Sequence, residues 1–160
     1  MMKIQTLQFG EIEIREDSIL TFEHGLPGFE NLHRFTVLTP DPELPFSFLQ
    51  AVDDGNTAFV LTDPFLFYPE YEFDVPEEVQ QQLQIIEGQE LTIWAIVSVR
   101  EELAHSTLNL MAPVLINGSK RLGRQCILHG SGYSTQHPLH VKAETAATAE
   151  EGDAHARINT

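Results

Sequence analysis

Seven histidines are the residues of this 160-residue chain best suited to metal or proton chemistry: His24, His33, His105, His129, His137, His140 and His155. Imidazole ligates zinc or shuttles a proton, but a metal needs several donors converging at short spacing. The one close pair is His137-Pro138-Leu139-His140. Its internal proline blocks the helical turn that would align the rings, and no carboxylate lies between His129 and His140. No metal site is expected. Ser131 and Ser134 lie near His129 and His137, yet no Gly-x-Ser-x-Gly elbow presents a nucleophile. Cys126 sits in the apolar run Cys126-Ile127-Leu128, with Arg124 on the same pleat face, and reads as a buried structural thiol. Asp53-Asp54 precede a Gly-Asn turn and read as turn chemistry rather than an acid–base pair. There is no glycine-rich phosphate loop, and Gly25 and Gly28 read as turn glycines. The chain is expected to be no enzyme and to need no cofactor.

Binding chemistry is better represented. The run Asp63-Pro64-Phe65-Leu66-Phe67-Tyr68-Pro69-Glu70-Tyr71-Glu72-Phe73-Asp74 mixes aromatic rings with carboxylates. Its two prolines exclude a central strand, so it is a loop or an edge. Rigid aromatics among acids suit a basic, partly apolar partner. The loop could fold back and plug the barrel end. The arrangement expected is mixed, with Phe65 and Phe67 inside and Tyr68, Glu70, Tyr71 and Glu72 presented outside. Together with Asp63, Asp74 and the helical Glu77 and Glu78, these make the candidate partner-binding set.

The elements that must position this run are mostly strands. Ile12 and Ile14 alternate with Glu11 and Glu13, a period of two. Leu91, Ile93, Ala95, Val97 and Val99 line one face of a run whose other face carries Thr92, Trp94, Ile96 and Ser98, the pattern of a central strand. Leu108, Leu110, Ala112, Val114 and Ile116 repeat it, with Pro113 predicting an edge or a bulge. Further strands are expected over Met2–Phe9, Phe35–Leu38, Phe46–Ala51, Thr57–Thr62 and Gln125–His129. Turn signals at Asp54-Gly55-Asn56 and Asn117-Gly118 complete an antiparallel barrel or sandwich. One helix is predicted over Pro76–Gln84, capped by Asp74, with Val75, Val79, Leu83 and Ile86 on one face. The fold class is all-β, a small antiparallel β-barrel-like domain with one short α-helix. The domain spans 2–140. Residues 141–160, acidic and alanine-rich, lack the apolar surface to offset their ordering entropy and are expected to form a mobile tail.

Charge narrows the function classes. Against 24 Asp and Glu stand 9 Lys and Arg, a net charge of −15. Residues 1–119 carry four basic and twenty acidic side chains, net −16, whereas 120–142 carry Lys120, Arg121, Arg124 and Lys142 and no acid. Such a field repels phosphate and attracts basic partners, which argues against direct nucleic-acid contact and against an anionic membrane surface. The basic stretch itself reads as a solvated hairpin tip. One cysteine excludes an internal disulfide, and no apolar run reaches the roughly 18 residues of a membrane span. A cytoplasmic protein is expected.

Four blocks carry a resemblance to a known family. Phe22-Glu23-His24-Gly25-Leu26-Pro27-Gly28-Phe29-Glu30 resembles the F-x-x-G-L-P-G-F-E signature of FliW, the flagellar assembly factor of bacteria. Val52-Asp53-Asp54, with Ala58 to Phe65, and then Asn109 to Asn117 match the next blocks in order. Tyr133-Ser134-Thr135-Gln136-His137-Pro138-Leu139 is similar to the family's Y-S-T-R-H-P-L, with Gln136 where arginine is usual. The resemblance implies a non-enzymatic barrel, a monomer when free, with two protein partners. These are flagellin and CsrA, a small dimeric RNA-binding repressor of flagellin translation that the protein would antagonise. The alternative is a small β-barrel ligand binder or enzyme with an aromatic, histidine-lined pocket.

Overall fold

The computed structural model describes residues 1–86 and 91–139; the expected tail over 141–160, and with it His140 and His155, lies outside them. Ten strands and one α-helix are described. β1 (Met2–Thr6) and β2 (Gly10–Ile14) form a separate antiparallel hairpin. The others are β3 (Leu20–Thr21), β4 (Arg34–Leu38), β5 (Phe46–Ala51), β6 (Ala58–Thr62), β7 (Leu91–Ser98), β8 (Thr107–Asn117), β9 (Leu122–Gln125) and β10 (His137–Pro138). They pair in the order β8-β7-β6-β5-β4-β3-β9, and β9 returns to β8, so seven strands close a barrel. Every pairing is antiparallel except β3 with β9, a single parallel contact between Thr21 and Leu122.

Closure divides the apolar residues into two main cores. Leu20, Phe22, Leu26, Phe35, Leu49, Ala51, Leu61, Val114 and Ile116 fill the barrel interior, with Trp94 and Ile96 against them. Ala95 and Val97, the alternate positions of β7, join Leu108, Leu110 and Leu115 of β8 in a second core outside the wall. β7 is thus a central strand, as expected, and its mixed face is covered as well, through Trp94 and Ile96. A third, smaller core holds Ile4 and Ile14 of the hairpin against Val52. The barrel is a packed solid: Phe22 and Phe35 are fully buried and meet edge to face at 5.1 Å. Burying each such ring stabilises the fold by about 1.5–3 kcal/mol.

Most expected strands are found, and the departures have local causes. The Gln125–His129 strand is displaced to Leu122–Gln125. Beyond it only alternate backbone groups are bonded, Cys126 N–H to Pro113 O and Leu128 N–H to Met111 O. Pro113 does mark a bulge: Trp94 pairs with Val114 but Ile96 pairs with Asn109. The Asn109 side-chain oxygen holds the extra residues by accepting from Met111 and Ala112 N–H. β8 is nevertheless no edge, since β7, β9 and β10 all pair with it.

The helix, α1, is shorter than expected, Glu77–Gln82. Asp74 does not cap it. Pro76 occupies the cap position with no side-chain hydrogen bond, which leaves Asp74 two residues outside the reach of the first-turn N–H groups. Val79 and Leu83 are buried, but Ile86 is 58% exposed rather than on their face. Gln84, at φ 54°, takes the left-handed conformation and ends the helix before Ile86 could complete the stripe.

Candidate partner-binding surface

The segment from Asp63 to Glu78 lies over the outer core against β7 and β8, not across the barrel end. It opens with a 3-10 turn, Pro64–Leu66, whose N-cap Asp63 accepts the Phe65 N–H on its side chain at 2.9 Å. Phe65 and Phe67 are buried in the outer core, as expected. The chain turns at Pro69 and Glu70, where Tyr71 N–H donates to Tyr68 O, and from Glu70 on exposed and covered side chains alternate. Tyr71, Phe73 and Val75 point to the core, while Glu70, Glu72 and Asp74 stay exposed. Glu77 and Glu78 extend the row into the first turn of α1, where the positive end of the helix dipole favours them.

Tyr71 corrects the expected arrangement. It is 2% exposed, and its hydroxyl donates to Leu110 O at 2.7 Å. Desolvation drives its phenol well above the ordinary range, with Tyr133 and Cys126 adding to the effect. It is a core residue rather than a presented one. Tyr68 is half-buried, with its hydroxyl donating to Pro138 O at 2.5 Å and its ring edge-on to His137 at 5.2 Å. The acidic members Glu70, Glu72, Asp74, Glu77 and Glu78 remain the exposed part of the predicted set.

What holds this row in place is a group that the sequence reading did not single out. Tyr133 stacks edge-on against Tyr71 at 4.8 Å, and its hydroxyl bonds both backbone groups of Glu72. His137 Nε2 accepts the Ser134 N–H at 2.9 Å, which fixes the turn carrying Tyr133. Partial burial pushes the His137 pKa below its ordinary value, and the accepting nitrogen requires the proton, where present, on Nδ1. Ser134 Oγ accepts the Gln136 N–H rather than facing an imidazole base. Gln136 itself is exposed, so this position does not house an internal ion pair. The signal for the arrangement was present: Tyr71, Phe73 and Val75 alternate with acids at a strand period, although no ladder forms.

The remaining candidates fall into structural roles. Gly25 and Gly28, at φ +62° and +86°, are turn glycines, and a Cβ on Gly25 would lie 2.5 Å from Phe29 O. Cys126 is 2% exposed, and burial raises its thiol pKa against the opposing pull of Arg124. Asp54 forms the turn expected of it, accepting from Asn56 N–H and the Thr57 hydroxyl. Asp53 pairs in a two-pronged contact with Arg34, whose guanidinium holds that carboxyl below its usual range. Among the described residues no three His, Cys, Asp or Glu side chains are grouped to hold a metal. No described helix is long and apolar enough to cross a membrane.

The chain is similar to known proteins over nearly all of the described residues. The family model described as FliW protein matches residues 3–139. A flagellar assembly factor FliW of Thermoanaerobacter pseudethanolicus is 43% identical over 139 residues, covering 86% of this chain and 93% of its own. One from Desulfitobacterium hafniense is 39% identical over 152 residues, covering 95% of this chain and 100% of its own. The crystal structure of a flagellar assembly factor FliW superposes with a TM-score of 0.81 at 40% identity, covering 86% of this chain and 96% of that one.

Proposed function

This chain belongs to the FliW family of flagellar assembly factors, and from that premise we propose that it acts by binding proteins rather than by catalysis. Its partners in this reading are flagellin and a CsrA-type RNA-binding repressor, met in the cytoplasm by a free monomer. The observation that carries the reading is the exposed row Glu70, Glu72, Asp74, Glu77 and Glu78, mounted on a buried aromatic frame. A backbone held in this way loses little further entropy on docking. A basic, RNA-binding surface is the chemistry such a row fits.

Docking would relieve repression electrostatically. With −15 overall, the chain brings negative charge close to RNA phosphates without occupying the RNA site. Because screening sets in over about 8 Å at physiological ionic strength, the effect requires close apposition and should weaken in salt. Flagellin and CsrA exchanging on the protein would let free flagellin control its own translation.

The test is complex mass by size-exclusion light scattering, with CsrA and with flagellin separately. It is followed by RNA release from the CsrA complex when the five carboxylates are replaced by amides. Stable complexes with both proteins and reduced RNA release are expected. Failure to form either complex at micromolar concentration overturns the partner reading. Undiminished RNA release with CsrA still bound overturns the electrostatic one. The competing ligand-pocket reading has little support. The barrel interior is filled, and none of the three surface hollows described below contains a Phe, Tyr or Trp.

A further inference from the structure

The turn joining β8 to β9 carries the chain's concentrated positive charge, and three hollows adjoin it. Lys120, Arg121 and Arg124 take part in no ion pair among the described residues. On one side a cleft of about 350 Å³ is lined by Arg34, Lys120 and Arg121, with Glu16 opposite and Met2 and Ile19 as apolar walls. On another, α1 and Lys120 border a second groove. Between α1 and β9 lies a narrow hollow of about 10 Å³, lined by Gln82, Leu83, Leu122 and Arg124, with the exposed side chains of Glu23 and His24 on its other side.

Two features of this turn and of β9 after it are unexplained by the fold. Arg124 Nη1 is withdrawn from solvent without a hydrogen-bond partner, and a buried guanidinium N–H in that state is destabilising. Arg121 holds φ +55°, where glycine or asparagine would be relaxed. Its carbonyl is needed, accepting the Thr21 N–H at 2.9 Å, but its side chain is exposed. The backbone thus gives no reason for an arginine here, whereas an anionic ligand would.

We infer that this basic end of the barrel docks an acidic peptide segment of a partner protein, on a surface separate from the acidic row. A carboxylate oxygen fits the narrow hollow and meets the orphaned Arg124 N–H, while Lys120 and Arg121 take neighbouring carboxylates. Gln82 lines the same hollow, its Nε2 3.3 Å from His24 Nε2 and its amide oxygen without a hydrogen-bond partner. Met2 and Ile19 add apolar contact that a peptide exploits and a sugar–phosphate backbone does not. The inference does not depend on the acidic row's having a partner.

The experiment is an anisotropy titration of the full chain with a fluorescein-labelled peptide alternating Glu with Leu. A labelled single-stranded RNA of equal charge serves as the second arm. Saturable, salt-sensitive peptide binding is expected, weakened about tenfold by Arg124→Gln and by Arg121→Gly. Arg121→Gly should unfold at the same or a higher temperature, because glycine suits that conformation, so its loss of binding cannot be a loss of fold. Glu101→Gln, in the β7–β8 connection at the opposite end of β8, should leave peptide binding intact. RNA binding as tight as the peptide's, no peptide binding, or binding indifferent to both arginine variants would overturn the inference.

Discussion

The Tyr133 hydroxyl completes both backbone hydrogen bonds of Glu72, accepting its N–H at 3.2 Å and donating to its carbonyl at 3.1 Å. A side chain 61 residues away thereby does for the acidic segment what a neighbouring strand would do. That explains how a run with strand periodicity keeps its alternation without a ladder, and how its carboxylates keep one face.

Removing that hydroxyl should loosen the row without emptying the core. Tyr133→Phe keeps the ring against Tyr71 and loses both bonds, at a cost of about 1 kcal/mol because water can replace them. Faster hydrogen exchange at the Glu72 amide, beside a small drop in denaturation midpoint, is the expected result. Tyr71→Phe should cost more, about 1–3 kcal/mol, since it strands the buried Leu110 carbonyl.

Gly123 is fixed by contact rather than by conformation. A Cβ built there would fall 2.3 Å from Phe22 Cζ, and the Phe22 ring is wholly enclosed by the barrel. Gly123→Ala should therefore lower stability by about 1–3 kcal/mol through overpacking. Urea unfolding reads the loss, and adding Phe22→Leu should recover part of it.

Acid should weaken the fold through His137 first. Its folded pKa is depressed by burial below the ordinary 6.5, so the unfolded chain takes up the proton sooner. The associated stability is present above pH 6.5 and is lost as pH falls below it. Asp53, held below its ordinary 3.8 by Arg34, contributes its own loss only in more acidic solution. Thermal unfolding across pH should show two separate declines, and His137→Gln should abolish the upper one.

Gln136→Arg restores the residue the family signature usually carries. Because the position is exposed and its side chain serves no internal pair, stability should change by no more than about 0.5 kcal/mol in urea titration. Any altered complex formation by this variant then reports a surface effect.

Several elements were legible locally. β5 begins and ends where expected, Phe46–Ala51, and Pro113 marked the irregularity in β8. A proline that cannot donate to a ladder, or a run alternating at period two, states its preference within a few residues. β3 escaped notice because two residues carry no period. Yet it closes the barrel, through the single parallel contact of Thr21 with Leu122 across a hundred residues of chain.

Local pattern fixed that the acidic segment has two faces, and composition fixed where charge accumulates. Which face would be covered was a tertiary decision. The hydroxyl of Tyr71 finds its acceptor at Leu110, and its ring meets Tyr133. Neither neighbour is within reach until β7 and β8 have paired and the 131–139 segment has folded over them. Alternation records a residue's direction relative to its own backbone, but burial depends on what the rest of the chain brings to that side.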